Sequence, residues 1–137
     1  MAKISKLAEL KVLVVEDQSE ARAMLRNMLT ELGVTQIFEA SDGKEAFSFF
    51  DSAFDLVDFI VCDWNMPGMT GVEFLRQVRS VDQEMPFLMV TGRGDFNSVT
   101  EAKKSGVTAF IKKPFSLIQL EAKIRIIMGR QEARAKS

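Results

Sequence analysis

Apolar and polar positions follow two different periods along this chain, and the two periods take turns. Five short, nearly continuous apolar runs are each bounded by turn or polar residues: "KVLVV" (11–15), "TQIFEA" (35–40), "VDFIVC" (57–62), "FLMVT" (87–91) and "VTAFIK" (107–112). That pattern predicts β-strands. Between the first two runs, Ala21, Met24, Leu25, Met28, Leu29 and Leu32 recur at steps of three and four, with Arg22, Arg26 and Glu31 among them and Gly33 after them. The spacing predicts an amphipathic helix with a glycine C-cap. Similar stripes are Ala46, Phe50 and Phe54; Val72, Leu75 and Val78; Phe96, Val99 and Ala102; and Leu117, Leu120, Ile124 and Ile127. Alternating βα units make neighbouring strands parallel, because each right-handed crossover lays its helix on a sheet face. The expected fold is therefore a three-layer α/β domain with a parallel sheet.

Composition narrows this picture. With 137 residues, 47% hydrophobic and 27% charged, the chain suits one domain, spanning 11–128, with polar segments at 1–10 and 129–137 expected to fray. A formal charge of -1 and no basic stripe interleaved with aromatics speak against nucleic acid and membrane as partners. The start, "MAKISKLAEL", has no apolar signal core and no run reaches membrane-spanning length, so a soluble cytoplasmic protein is expected. The single cysteine, Cys62, sits within an apolar run and reads as a small core residue. Phe47, Phe49, Phe50 and Phe54 cannot all point inward from one helix, so one of them is expected on a partner surface. Histidine is absent, so any histidine group that the chemistry needs has to come from another molecule.

Polar residues stand where the apolar runs end. Glu16 and Asp17 follow the first run, Asp63 the third and Lys113 the fifth, while Thr91 closes the fourth. In a parallel sheet all strand C-termini share one edge, where ligands bind. Three carboxylates, a hydroxyl and an ammonium are thus expected on one rim. Each close carboxylate pair costs roughly 4 kcal/mol at 4 Å and an effective dielectric of 20, so a cation belongs among them. Mg²⁺ suits an oxygen donor set that leaves room for water and phosphate; calcium wants more protein oxygens, and zinc wants histidine or cysteine. Pro67, Gly68 and Gly71, just after Asp63, turn the chain away and leave that carboxylate accessible. Trp64 and Met66 are expected to flank it.

The strings "VVEDQ", "CDWNMPGMTG", "MVTG" and "FIKKPF", in this order and at strand ends, resemble the receiver domains of bacterial two-component response regulators, most closely the single-domain chemotaxis type, over about residues 10–128. The resemblance implies a flavodoxin-like (βα)5 receiver fold with strand order 2-1-3-4-5. It implies that Asp63 accepts a phosphoryl group from a histidine kinase or histidine phosphotransfer protein. It also implies that Glu16, Asp17, Asp63 and the backbone carbonyl of Asn65 hold Mg²⁺, and that Thr91 and Lys113 contact the phosphoryl oxygens. Thr91 and Phe110 would form the switch that remodels the face built from the fourth helix, fifth strand and fifth helix, and Asn65 and Arg93 would tune the phosphate lifetime. Lys112, not followed by Pro114, is left as a solvated edge residue.

On this reading the protein is a phosphoacceptor that catalyses its own phosphorylation and dephosphorylation, and is not otherwise an enzyme. It would act, as a monomer or weak dimer, on an unidentified protein target. Two departures stand out: Glu16 replaces the first aspartate of the chemotaxis type, and Phe110 lacks the hydroxyl of its usual tyrosine. Relay or sink of phosphate, and a degenerate receiver acting as scaffold, are the alternatives. A flavin site would need a glycine-containing phosphate loop where the chain has "VVEDQSEA".

Overall fold

The computed structural model describes residues 7–92 and 96–136, without the side chains of residues 54, 96–99 and 130–136. Strands β1 (Lys11–Val15), β2 (Gln36–Ala40), β3 (Phe59–Asp63), β4 (Phe87–Thr91) and β5 (Ala109–Lys112) alternate with helices α1 (Ser19–Glu31), α2 (Gly43–Ala53), α3 (Gly71–Val81), α4 (Phe96–Lys104) and α5 (Leu117–Lys136). A 3-10 turn, Phe54–Leu56, lies between α2 and β3. All strand pairs are parallel, in the order β2-β1-β3-β4-β5. This is the flavodoxin-like strand order.

Each strand feeds two cores, because successive side chains point to opposite faces. On one face Leu13, Ile60, Cys62, Phe87 and Met89 pack with Phe50, Phe74, Leu75 and Val78 of α2 and α3. On the other, Val12, Val14, Val61, Leu88 and Val90 pack with Leu25 and Leu29 of α1 and Leu120, Ile124 and Ile127 of α5. Burying each such side chain contributes about 1.5–3 kcal/mol. Since β3 and β4 are covered on both faces, every one of their residues is buried. That includes Asp63 and Thr91.

Local signals act at the helix ends. Gly33, at φ 109°, follows α1 and lets Val34 N–H reach Leu29 O while Gly33 N–H reaches Thr30 O. These two bonds close the helix and turn the chain into β2. The start of α3 is fixed by a capping box in which Thr70 and Glu73 exchange backbone and side-chain hydrogen bonds. Strong helix punctuation thus lies directly after the Asp63 loop.

Several sequence expectations shift by a few residues. Val57 is buried but precedes β3, and Asp58 N–H bonds to Lys11 O instead of beginning the strand ladder. Val107 N–H closes α4 on Ala102 O, so β5 starts at Ala109 and not at 107. Met24, placed on the apolar stripe, is 51% exposed. Phe50 is fully buried, Phe47 and Phe49 are partly buried against the same core, and the Phe49 ring lies 5.0 Å from Phe38. Those three aromatics face the core, and the side chain of Phe54 lies outside the described residues. Leu7 and Leu10 are buried, and α5 continues to Lys136.

Candidate functional site

The ladders that define the sheet also fix the residues at its C-terminal edge. Glu16 N–H bonds to Ala40 O, Trp64 N–H to Val90 O, and Lys113 N–H to Thr91 O at 2.7 Å. Each strand end is therefore held to its neighbour just where its polar residue emerges. Gly71 allows a further close approach. A Cβ there would stand 2.5 Å from Asp63 O and 3.0 Å from Trp64 Cα, so only glycine lets α3 begin against the end of β3.

Glu16 is 1% exposed and Asp63 5%. Two buried carboxylates need partners, and each has a defined pair. Asp63 Oδ2 accepts from Asn65 N–H at 3.0 Å and Oδ1 lies 2.9 Å from Lys113 Nζ. Glu16 Oε2 accepts from Gln18 N–H at 3.1 Å and Oε1 lies 3.3 Å from the same Lys113 Nζ. One ammonium thus bridges two carboxylates. Arg22 adds a donor, its Nη1 lying 2.8 Å from Glu16 O. The Lys113–Pro114 peptide is cis.

Asp17 completes the acidic group: Glu16, Asp17 and Asp63 each offer an oxygen within 4.8 Å of the others. They face a cleft of about 430 Å³, also lined by Asn65, Gly92 and Lys113. Burial raises the Glu16 carboxyl above its ordinary value; the Gln18 amide opposes this, Asp63 reinforces it and Lys113 opposes it. For Lys113, burial favours the neutral amine, yet the bonds and charges of Asp63 and Glu16 outweigh it and raise its pKa. Cys62, behind Asp63, has its thiol pushed well up by burial and then by the two carboxylates, so it is not a ready metal ligand.

Among the described residues, three carboxylates against one ammonium leave two formal negative charges uncompensated. A hard divalent cation with oxygen ligands fits that donor set and Mg²⁺ suits it well, because no histidine exists in the chain. The acidic cluster could hold such an ion.

The structure brings Glu16, Asp17, Asp63, Asn65 and Lys113 to one cleft. Thr91 ends β4 beside them, buried at 3% exposure, but Gly92 and not Thr91 lines the cleft. Phe110 is half-buried on β5, with Lys123 Nζ 6.0 Å from its ring centre. Lys112 is exposed. Trp64 and Met66 are buried, and Met66 lines the cleft. Arg93 lies outside the described residues. Sequence reasoning missed Gln18, which acts through its backbone and leaves no residue-type signal, and Thr70, which lines the cleft and is signalled by the Thr70-x-x-Glu73 spacing.

The response regulator receiver domain family matches residues 12–125. Over 123 residues the chain is 41% identical to the chemotaxis protein CheY of Pseudomonas aeruginosa, covering 88% of this chain and 98% of that protein. Among solved structures, a receiver domain protein from Clostridium thermocellum superposes with a TM-score of 0.84 at 25% identity, covering 90% of this chain and 98% of the other. The Vibrio cholerae chemotaxis protein CheY4 superposes at 0.79 with 33% identity, covering 86% and 98%. Among the described residues no helix is long and apolar enough to cross a membrane.

Proposed function

The chain belongs to the response regulator receiver domain family of two-component signal transduction, and from that membership we propose that Asp63 is its phosphoacceptor. The donor is a phosphohistidine on a sensor kinase or a histidine phosphotransfer protein in the cytoplasm. The observation that carries this reading is the Lys113 bridge: one ammonium within 3.3 Å of Glu16 and 2.9 Å of Asp63, facing an acidic cleft open to solvent.

An Asp63 oxygen attacks phosphorus, forming a P–O bond as the P–N bond breaks. The electron pair returns to the imidazole nitrogen, which then takes up a proton. Asn65 N–H keeps Oδ2 fixed, so the carboxylate is oriented before the donor arrives. Lys113 transfers from Oδ1 to a phosphoryl oxygen, offsetting the charge that arrives there. Glu16, Asp17, Asp63 and the Asn65 carbonyl would hold Mg²⁺, which supplies charge neutralisation at the phosphoryl oxygens when bound. Hydrolysis restores the carboxylate: water attacks phosphorus, the P–O bond to Asp63 breaks with its electron pair returning to the carboxylate, and inorganic phosphate leaves with the proton released from water. The resemblance to the family assigns the tuning of that rate to Asn65, which lines the cleft, and to Arg93.

The phosphoryl group brings about two negative charges beside Thr91, whose hydroxyl turns toward them. Phe110 then moves further into the core and remodels the surface of α4, β5 and α5, where a protein target binds. Incubation with acetyl phosphate and Mg²⁺, read by mass spectrometry, tests the reading. A base-labile phosphate on Asp63, absent from Asp63→Asn, is expected; no incorporation would leave the chain a scaffold.

A further inference from the structure

β1 passes into α1 through a short turn, and that turn carries two of the three clustered carboxylates, Glu16 and Asp17. The peptide joining them bears both, so its orientation decides whether they converge. Its carbonyl lies beyond the last residue of β2, Ala40, and Ser41, next along that segment, gives its N–H to Glu45 Oε1 at 2.6 Å. A side chain takes over where the ladder stops. Arg22 Nη1 lies 2.8 Å from Glu16 O, and the same guanidinium is held by Glu39, whose Oε1 is 3.3 Å from Arg22 Nε. Glu39 belongs to the edge strand β2, and its other oxygen lies 3.5 Å from Arg26 Nη1. Neither Arg22 nor Glu39 lines the cleft.

We propose that Arg22, oriented by Glu39, is a positioning residue for the cation site: it fixes the Glu16–Asp17 peptide and thereby sets how tightly the acidic cluster takes Mg²⁺. The proposal rests on reading that cluster as a magnesium site. Groups that orient metal ligands without touching the ion commonly govern affinity by about 10–100-fold. A planar guanidinium suits the task, because its fixed fork donates to a carbonyl and a carboxylate at once.

Charge alone predicts the opposite sign. Arg22 is a cation near a cation site, so deleting it would tighten Mg²⁺ binding by relieving repulsion, roughly a few-fold through water and less in salt. Positioning is the larger effect and decides the direction.

Titration of the full chain with MgCl2, read from the rise in melting temperature and from the fluorescence of Trp64, the only tryptophan, tests this. Arg22→Met should weaken Mg²⁺ binding about tenfold or more. Arg22→Lys keeps the charge but cannot hold both acceptors, and should also bind more weakly than the parent. Glu39→Ala, at an exposed position of the edge strand, should fall between parent and Arg22→Met. Added to Arg22→Met it should cost nothing further, because both act through one contact. A merely structural arginine would lower the metal-free melting temperature and leave the Mg²⁺ midpoint where it was. That result, tighter binding by Arg22→Met, or additive effects of the two substitutions would each overturn the proposal. A parent that ignores Mg²⁺ would instead overturn the magnesium reading, and the proposal with it.

Discussion

Lys113 Nζ lies 2.9 Å from Asp63 Oδ1, so the proposed phosphoacceptor is already paired with a cation before any donor arrives. The same ammonium holds Glu16. Removing it should therefore affect stability and reactivity together. In Lys113→Met, metal-free stability is expected to fall by about 1–3 kcal/mol, because two buried carboxylates lose their shared partner. Phosphorylation by acetyl phosphate should slow by about 10²–10³-fold. Urea denaturation and the rate of Trp64 fluorescence change on adding donor would report the two effects; an unaltered rate would remove Lys113 from the chemistry.

Metal-free stability should also depend on pH through Glu16. Its folded-state pKa lies above the ordinary 4.5, chiefly from burial, so the folded state binds the proton more tightly than the unfolded chain does. This contribution is full below 4.5 and is lost as pH rises through the raised value. Glu16→Gln should flatten that part of the profile, and Mg²⁺ should move it to lower pH. Denaturation midpoints at a series of pH values, compared between parent and variant, check the sign.

Asp17 is half-buried within the acidic cluster, so its charge is repelled by Glu16 and Asp63. Asp17→Asn is expected to raise metal-free stability by about 1 kcal/mol while weakening Mg²⁺ binding. Thermal melts with and without Mg²⁺ would show the order of the two proteins reversing as metal is added. A variant no more stable than the parent without metal would mean that repulsion is relieved elsewhere.

A methyl group at Gly71 would press on Asp63 O, Met89 Sδ at 2.9 Å and Trp64 Cα. Two of these contacts are backbone and cannot yield as a flexible side chain does. Gly71→Ala should cost about 1–3 kcal/mol and displace the Asp63 carboxylate, lowering its phosphorylation rate. A urea midpoint equal to that of the parent would refute the packing argument.

Phe110→Ala tests the switch. The variant should take up phosphate at the parent rate but lose the phosphorylation-dependent change in amide exchange over 107–128. If the change persists undiminished, the ring does not carry the signal.

The parallel strands and the gathering of Glu16, Asp17, Asp63 and Lys113 were legible because an apolar run that ends on a charge marks both a strand and its rim; the strand order was legible only through the resemblance of the motifs to receiver domains. Element starts were less so. Val57 and Val107 are apolar whether they sit in a strand or close a preceding turn, and only the hydrogen bonds of Asp58 and Val107 distinguish the two. Contacts made by backbone groups, such as Gln18 N–H to Glu16, leave no trace in residue type. Nor does the sequence show that a single lysine would serve both Glu16 and Asp63, since that depends on how far its stem reaches between two loops.

Because α5 runs as one helix to Lys136, a protein domain grafted behind it on a continuous helix would inherit its rotational phase. Each added linker residue would swing such a passenger by about 100°, so a family of chimaeras differing by one residue should cycle in output with the helical repeat.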